Sequence, residues 1–305
     1  AYLMSPTNAQ IAGAKPEALA KLAHEFLDHQ HRTLYFGPRS AADAAKVVGL
    51  GKAHRKVTPR PPTRYRATKK STLYFTHRDV AKSTVALGLT SPPMPRERRP
   101  AGKLWSEYLG GGMNALLFQE LREARGLVYY SWGFLIDGER PNDAWALRGG
   151  LGTQSDKTAD ALTTYFDLLG RPLDATRLQT ARAAIDQEYR SNRVDPRYSA
   201  SYVDSWDQRG EKTDPRPWTW EQITAMTQEQ LQAFASDFAK RPAIVGLVGN
   251  RANLDLAALK KLGEIVEVAP EKLFSYGPFP KAPAAAAPAA AAAPAKEPAA
   301  PAKAP

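Results

Sequence analysis

Residues 110–133 read GGGMNALLFQELREARGLVYYSWG, and they carry most of what the sequence indicates about the fold. After three glycines, a helical pattern places Leu117, Phe118 and Leu121 on one apolar face. Gly126 follows at the point where the end of a helix favours a residue of positive φ. The residues beyond it alternate between bulky and smaller side chains, which is typical of a strand. The stretch therefore predicts a helix, a glycine turn and a strand.

The alternation in this strand assigns its two tyrosines to opposite faces. Tyr130 falls on the bulkier face, together with Val128, Trp132, Phe134 and Ile136. This pattern predicts that Tyr130 is a core residue. Tyr129 falls on the thinner face with Ser131, where small neighbours leave space above its ring.

Hydrophobic periodicity and chain breakers predict the remaining elements. Helices are expected at 16–31, from the Gly37-Pro38 turn to Val48, near 101–109, and at 157–169, 174–193, 198–209, 228–239 and 253–262. Strands are expected at 32–36, 72–76, 83–90, 127–136, 145–151, 243–249 and 264–268. Because regular strand–helix–strand repeats are few, this order favours an α+β layer structure over a doubly wound sheet.

Composition and an internal repeat divide the chain into four parts. Residues 19–51 and 231–263 both run helix, strand, glycine turn, helix and glycine. We therefore interpret residues 1–50 as the tail of a preceding homologous domain, and 71–280 as one complete domain. Residues 51–70 form a basic, proline-rich linker, and 281–305, nearly all Ala and Pro, are expected to be a disordered tail.

The net charge of +11 is concentrated in one stretch of the chain. Residues 50–100 hold 13 Lys or Arg against two acids, Asp79 and Glu97, so the rest of the chain balances to zero. Few aromatic residues are interleaved there, which favours a solvated linker over a nucleic-acid surface. A basic module for nucleic acid or membrane surfaces is kept as a rival, and its binding would depend steeply on salt.

Several site classes are excluded by missing residues. The chain has no cysteine, which excludes disulfides and thiol nucleophiles. No apolar run approaches the roughly 18 residues that a transmembrane helix needs. The stretch HEFLDHQH (24–31) is not a zinc motif, because HExxH requires histidine where Asp28 stands, and HxxEH is absent. Gly110–Gly112 lack the Lys-Ser/Thr of a phosphate loop.

The run LFQELRE followed by RGLVYY resembles the second, non-zinc half of the pitrilysin/insulinase metallopeptidases, and KKLGEIVEV (260–268) supports this more loosely. The resemblance implies an α+β domain with a mixed, largely antiparallel sheet and helices packed on one face. In such enzymes two halves, fused or separate, close around a chamber. Zinc is expected in the partner half, on an HxxEH helix, and no cofactor is expected in this chain.

The resemblance also implies site residues. An Arg and a Tyr spaced i and i+7 hold the substrate opposite the metal, and they map onto Arg122 and Tyr129. Ser131 shares the predicted face of Tyr129 and is included as a substrate contact. The implied partners are the zinc-bearing half, in cis or in trans, and an extended peptide, with no nucleic acid. Alone, the chain is expected to cleave nothing, and analogy suggests a bacterial periplasm or cell envelope.

The main rival within this fold is a structural or binding homologue that has lost proteolysis. The Arg122 and Tyr129 pair argues against it, because a scaffold needs neither residue.

Overall fold

The computed structural model of the protein describes Pro6 and residues 8–48, 55–57, 61–66 and 68–273. The predicted 281–305 tail and part of the predicted 51–70 linker lie outside these residues. Among the helices of the described part, none is long and apolar enough to cross a membrane.

The described ranges fold into alternating groups of helices and strands. The helices are α1 (Asn8–Ala12), α2 (Pro16–Leu27), α3 (Ala41–Val48), α4 (Arg99–Gly110), α5 (Thr158–Gly170), α6 (Ala175–Ser191), α7 (Ser199–Gln208), α8 (Arg216–Ala225), α9 (Gln228–Ala239), α10 (Leu256–Leu262) and α11 (Pro270–Leu273). A π-helical segment covers Phe118–Glu123. The strands are β1 (Thr72–His77), β2 (Lys82–Ser91), β3 (Tyr130–Ile136), β4 (Trp145–Gln154), β5 (Ala243–Gly249) and β6 (Glu264–Glu267).

The six strands form one mixed sheet in the order β3-β4-β2-β5-β1-β6. The pairs β3–β4, β4–β2 and β2–β5 are antiparallel, whereas β1 is parallel to both β5 and β6. The predicted fold class, an α+β domain with a mixed and largely antiparallel sheet, is confirmed. The order also places β3 at one edge of the sheet, so the turn that precedes β3 lies at that edge.

One face of the sheet carries the helices and the core. In β2, Val85, Leu87 and Leu89 are buried, while the alternating Thr84 and Ala86 are exposed. The buried set packs against a helical layer whose centre is Trp105 of α4. Its ring lies 5.9 Å from that of Phe234 and 5.4 Å from that of Phe238, both in α9. Burial of such large apolar side chains, at about 25 cal/mol per Å², is the main stabilising term.

The prediction that Tyr130 is a core residue is wrong. In β3, Ser131 is opposite Leu151 and Leu135 is opposite Leu147, and both leucines lie on the helix-covered face. Tyr130 therefore lies on the other face, and 46% of it is exposed.

Glycines in β4 explain how bulky rings fit on the open face. A Cβ at Gly150 would lie 2.8 Å from the Trp132 ring, and one at Gly152 would overlap the Tyr130 ring. The rings therefore lie flat across the neighbouring strand instead of pointing into a core. Tyr165 of α5 and Tyr108 of α4 are the tyrosines buried in the described core, and the Tyr165 hydroxyl donates to the Trp132 carbonyl at 3.0 Å.

Residues 8–48 contribute little to this core. Within that segment Ala44 is the buried hydrophobic residue, whereas many large apolar side chains are exposed. The exposed set comprises Ile11, Leu19, Leu22, Phe26, Leu34, Tyr35, Phe36, Val47 and Val48. The predicted strand at 32–36 is extended chain without a strand partner in the described residues. The segment has amphipathic helices whose apolar faces lack a covering layer.

Candidate functional site

The helix–turn–strand unit at 116–136 has the predicted form. Leu117 and Leu121 are fully buried, which fixes the inner face of the helix. Gly126 has φ of 57° and ends the helix. Its N–H donates to the Arg122 carbonyl at 3.0 Å, and the Leu127 N–H donates to the Leu121 carbonyl at 2.8 Å. These bonds satisfy the carbonyls that a helix end leaves open, so the chain reverses tightly.

The last turns of this helix are π-helical, which the sequence does not predict. The Ala124 N–H donates to the carbonyl of Gln119, five residues earlier, at 2.8 Å. The Glu120 carboxylate accepts a hydrogen bond from Arg171 at 3.0 Å and one from Arg125 at 3.4 Å. Such π-helical turns are rare and often occur at functional sites. The ion pairs to Glu120 fix the rotation of the segment about its axis.

Arg122 lies on the outer side of this segment. Its side chain is half exposed, and its guanidinium carbon is 4.9 Å from the centre of the Phe118 ring. The Glu123 carboxylate is 3.7 Å from Nε, which is too long for a hydrogen bond. The forked donors of Arg122 are therefore held by ring packing and are open to a ligand.

Tyr129 lies immediately before β3 on the other side of the Gly126 turn. Its N–H donates to the Gly152 carbonyl at 2.8 Å, which ties the turn to β4. The residue is 45% exposed, and the Lys82 ammonium stands 4.5 Å from the centre of its ring. Within the described part of the chain, nothing hydrogen-bonds the Tyr129 hydroxyl. The phenol is thus an available donor.

Ser131 occupies a different environment from Arg122 and Tyr129. It lies on the helix-covered face, and its hydroxyl oxygen is buried without a hydrogen-bond partner in the described residues. The structure therefore places Arg122 and Tyr129 on either side of one turn, both accessible, and keeps the Ser131 hydroxyl away from solvent.

Lys82 is a residue near the candidate site that the sequence does not indicate. It is the first residue of β2, 47 positions before Tyr129, and no local motif links the two. They meet because β4 pairs with both β2 and β3. The contact follows from the order of the strands in the sheet, which the pattern of a single sequence does not reveal.

The histidines at 24–31 do not form a metal site in the described residues. His29 Nδ1 donates to the Glu25 carbonyl at 3.0 Å, and His31 Nδ1 to the His29 carbonyl at 2.9 Å. No group of three or more His, Asp or Glu side chains suited to a metal occurs in the part of the chain that is described. The described residues therefore do not fit a zinc ion.

A cavity of about 490 Å³ lies on the helical side of the edge strand β3. Its lining includes Phe134, Trp206 and the carboxylate of Glu107, but neither Arg122 nor Tyr129. Burial raises the pKa of Glu107 above its usual 4.5, and the nearby charge of Glu188 raises it further, whereas Lys103 lowers it. The cavity is thus separate from the Arg122 and Tyr129 site and holds a carboxylate that ionises at some cost.

Glu107→Gln is expected to raise the melting temperature at pH 7.5 and to leave it unchanged below about pH 4. The folded pKa is above the unfolded value, so the charged form is less favourable in the folded protein, and this penalty appears as pH rises. Differential scanning calorimetry across this range is the measurement, with exposed Glu123→Gln as the control. An equal gain at both pH values would contradict the assigned cause.

Comparison with known proteins identifies the family of this chain. The family model for the peptidase M16 inactive domain matches residues 11–185, more than half of the chain. An uncharacterised zinc protease of Mycobacterium tuberculosis is 32% identical over 124 residues, which cover 39% of this chain and 26% of that protein. One from Mycobacterium leprae is 44% identical over 52 residues, or 17% of this chain and 12% of that protein.

Solved structures share the fold at low sequence identity. A peptidase M16 inactive domain from Pseudomonas fluorescens aligns with a TM-score of 0.59 and 16% identity, covering 70% of this chain and 51% of that one. A conserved protein from Enterococcus faecalis gives a TM-score of 0.61 at 14% identity, covering 81% and 58%. The match thus spans 26% of the Mycobacterium tuberculosis protease, 12% of the Mycobacterium leprae one and about half of each of these two structures. The chain belongs to the M16 family of zinc proteases and corresponds to the inactive domain of that family.

Proposed function

We propose that this chain is the substrate-binding, non-zinc half of a metalloendopeptidase. In this proposal Arg122 binds the backbone of an extended peptide, and the Tyr129 hydroxyl donates to the carbonyl oxygen of the bond being cleaved. The observation that carries the proposal is the pair of accessible, unsatisfied donors on either side of the Gly126 turn.

The two side chains suit different parts of the reaction. Negative charge grows on the carbonyl oxygen in the transition state, so a preorganised hydroxyl aimed at it stabilises that state most. A guanidinium presents several donors in a fixed plane and suits a carbonyl that is bound throughout. Zinc in the partner half would polarise the carbonyl and activate the attacking water.

The surroundings hold both donors in place. Leu117 and Leu121 bury the inner face of the helix, and the ion pairs of Glu120 fix its outer face. The Thr153 hydroxyl donates to the Leu127 carbonyl at 2.5 Å, which fastens the turn to β4. Arg122 and Tyr129 are therefore mounted on packed elements, as a preorganised site requires. Ser131, with its buried hydroxyl, is better suited to packing beneath this site than to touching a peptide.

We also propose that residues 16–48 complete a preceding domain of the same fold. The helices α2 and α9 correspond at one constant offset, because 228 − 16 and 239 − 27 both give 212. At this offset the apolar positions coincide, pairing Leu19 with Leu231, Leu22 with Phe234, Phe26 with Phe238 and Val47 with Leu259. The second member of each pair is buried, and the first is exposed.

The exposed apolar side chains of residues 16–48 are the ones that a further layer of the preceding domain would cover. In the complete copy, β5 lies inside the sheet between β1 and β2, and the helices α9 and α10 on either side of it in the sequence both contact α5. Residues 32–36 occupy the corresponding position in the first copy. A sheet of the same kind, supplied by a zinc-bearing domain earlier in the same polypeptide, would bury the apolar set. This favours a partner half in cis.

The assignment is tested by metal content and cleavage. We expect purified residues 1–305 to hold less than about 0.1 zinc per chain after dialysis and to cleave no fluorogenic peptide, since the described residues offer no ligand set. The longer polypeptide, or the chain mixed with its zinc-bearing half, should bind one zinc and cleave the peptide. Stoichiometric zinc in the chain alone would return the histidines at 24–31 to consideration. Zinc without cleavage in the assembled protein would favour the non-proteolytic homologue.

A further inference from the structure

Lys82 brings a positive charge to the candidate site from a distant part of the sequence. Its ammonium lies 4.5 Å from the centre of the Tyr129 ring, within the range of a cation–π contact. The lysine begins β2, opposite Gln154 at the end of β4. The pairing of β2 with β4 therefore brings the exposed Lys82 side chain beside the Tyr129 phenol.

The charge of Lys82 is not neutralised by the described residues. No carboxylate forms an ion pair with it there, and its neighbour across the strand is an uncharged glutamine. A second ammonium, that of Lys157, lies 3.5 Å from the Gly126 carbonyl in the same turn. The guanidinium of Arg122 adds a third cation, with Glu123 as its nearest acid. Of these three cations, Lys82 is the one that contacts the Tyr129 ring and has no ion-pair partner in the described residues.

We infer that Lys82 makes this site selective for peptides with a carboxylate next to the bond that Tyr129 holds. The carboxylate would accept a charge-assisted hydrogen bond from the ammonium, whereas the amide of Asn or Gln at that position gains no such charge interaction. The inference rests on the proposed function, since it takes the Tyr129 hydroxyl as the point where the cleaved bond is placed. It adds a substrate class, acidic peptides, to the peptide-binding role.

The test uses the assembled zinc-containing enzyme and pairs of fluorogenic peptides that differ by Asp against Asn. The pair is made at each position flanking the cleaved bond. In the unmodified enzyme we expect kcat/KM to favour the Asp peptide about fivefold at one of these positions, as for a partly exposed ion pair. Lys82→Gln should reduce this ratio to about one, and Lys82→Arg should retain it. Lys261→Gln on α10 removes a cation remote from Tyr129 and should leave the ratio unchanged.

Two outcomes overturn the inference. One is a wild-type ratio near one at every position. The other is a Lys82→Gln variant that slows both peptides equally, which would make Lys82 only a positioning residue for the Tyr129 ring.

A binding measurement separates this inference from the proposed function. Fluorescence anisotropy of labelled, uncleaved Asp and Asn peptides on the full chain reads selectivity without catalysis. If Tyr129→Phe keeps normal kcat but Lys82→Gln still abolishes the preference for the Asp peptide, the catalytic proposal fails and the carboxylate site stands. If Tyr129→Phe lowers kcat strongly but Lys82→Gln leaves the preference for the Asp peptide unchanged, the catalytic proposal stands and the carboxylate site fails.

Discussion

Tyr129→Phe is expected to lower kcat of the assembled peptidase about a hundredfold while changing KM by less than about twofold. The substitution removes one hydroxyl donor from a side chain that is half exposed, and that hydroxyl makes no hydrogen bond within the described residues. A donor that acts on developing charge contributes mainly in the transition state, so its loss is read in the rate and hardly in ground-state binding. Steady-state kinetics with one peptide gives both constants.

Neighbouring variants make this result specific. Tyr130→Phe should leave kcat near normal, because the Tyr130 ring lies flat over Gly152 on the open face and the contact needs no hydroxyl. Arg122→Ala should raise KM as well as lower kcat, since the guanidinium binds the peptide throughout. Melting curves of all three variants exclude unfolding. Near-normal kcat in a folded Tyr129→Phe enzyme would mean that this half binds the peptide but contributes nothing to the chemical step.

Phe238→Ala and Phe26→Ala are expected to differ by several kcal/mol in this chain, although the proposed repeat makes the two positions equivalent. Phe238 is fully buried beside Trp105, so truncation should cost about 3–5 kcal/mol of unfolding free energy. Phe26 is 72% exposed, so its truncation should cost less than about 0.5 kcal/mol. Urea unfolding monitored by circular dichroism measures both.

The same pair of variants in the longer polypeptide tests the proposed domain boundary. There Phe26→Ala should cost about as much as Phe238→Ala does, roughly 3 kcal/mol, because the preceding domain would bury the ring. A negligible effect of Phe26→Ala in the longer protein would show that residues 16–48 pack against nothing there. The two segments would then share a sequence pattern but not a fold.

The fold was largely predictable where local pattern and packing agree. The strand at 83–90 alternates cleanly and is found as β2, and the helix at 228–239 is found with the same bounds as α9. The helix α8 was not predicted, because its two tryptophans and β-branched threonines weaken the helical pattern. Burial of Ile223 stabilises it instead. Likewise 32–36 has a strand-like composition but lacks the neighbouring strands that would make it one.

The candidate site was predictable only in part. Spacing and resemblance indicated Arg122 and Tyr129, and Gly126 ends the helix as expected. The orientation of Tyr130 could not be read from its own strand. Large side chains at alternate positions of a strand indicate a buried face only if they cannot lie flat on the neighbouring strand. Here β4 offers Gly150 and Gly152, which accept the rings flat against the sheet. Those glycines lie 18 residues after Trp132 and 22 residues after Tyr130, outside the pattern of the strand itself.

The parallel pairing of β1 has a consequence for synthesis on the ribosome. Its partners are β5 and β6, so Thr72 pairs with Ile244, which is 172 positions later. At about 5–20 residues per second, roughly 10–30 s pass before that partner is made. During that interval β1 (TLYFTH) has neither of its partner strands, whereas β2, β3 and β4 can already pair with one another. Nascent chains that stop before Ala243 therefore expose β1, which makes them preferred clients of chaperones and proteases.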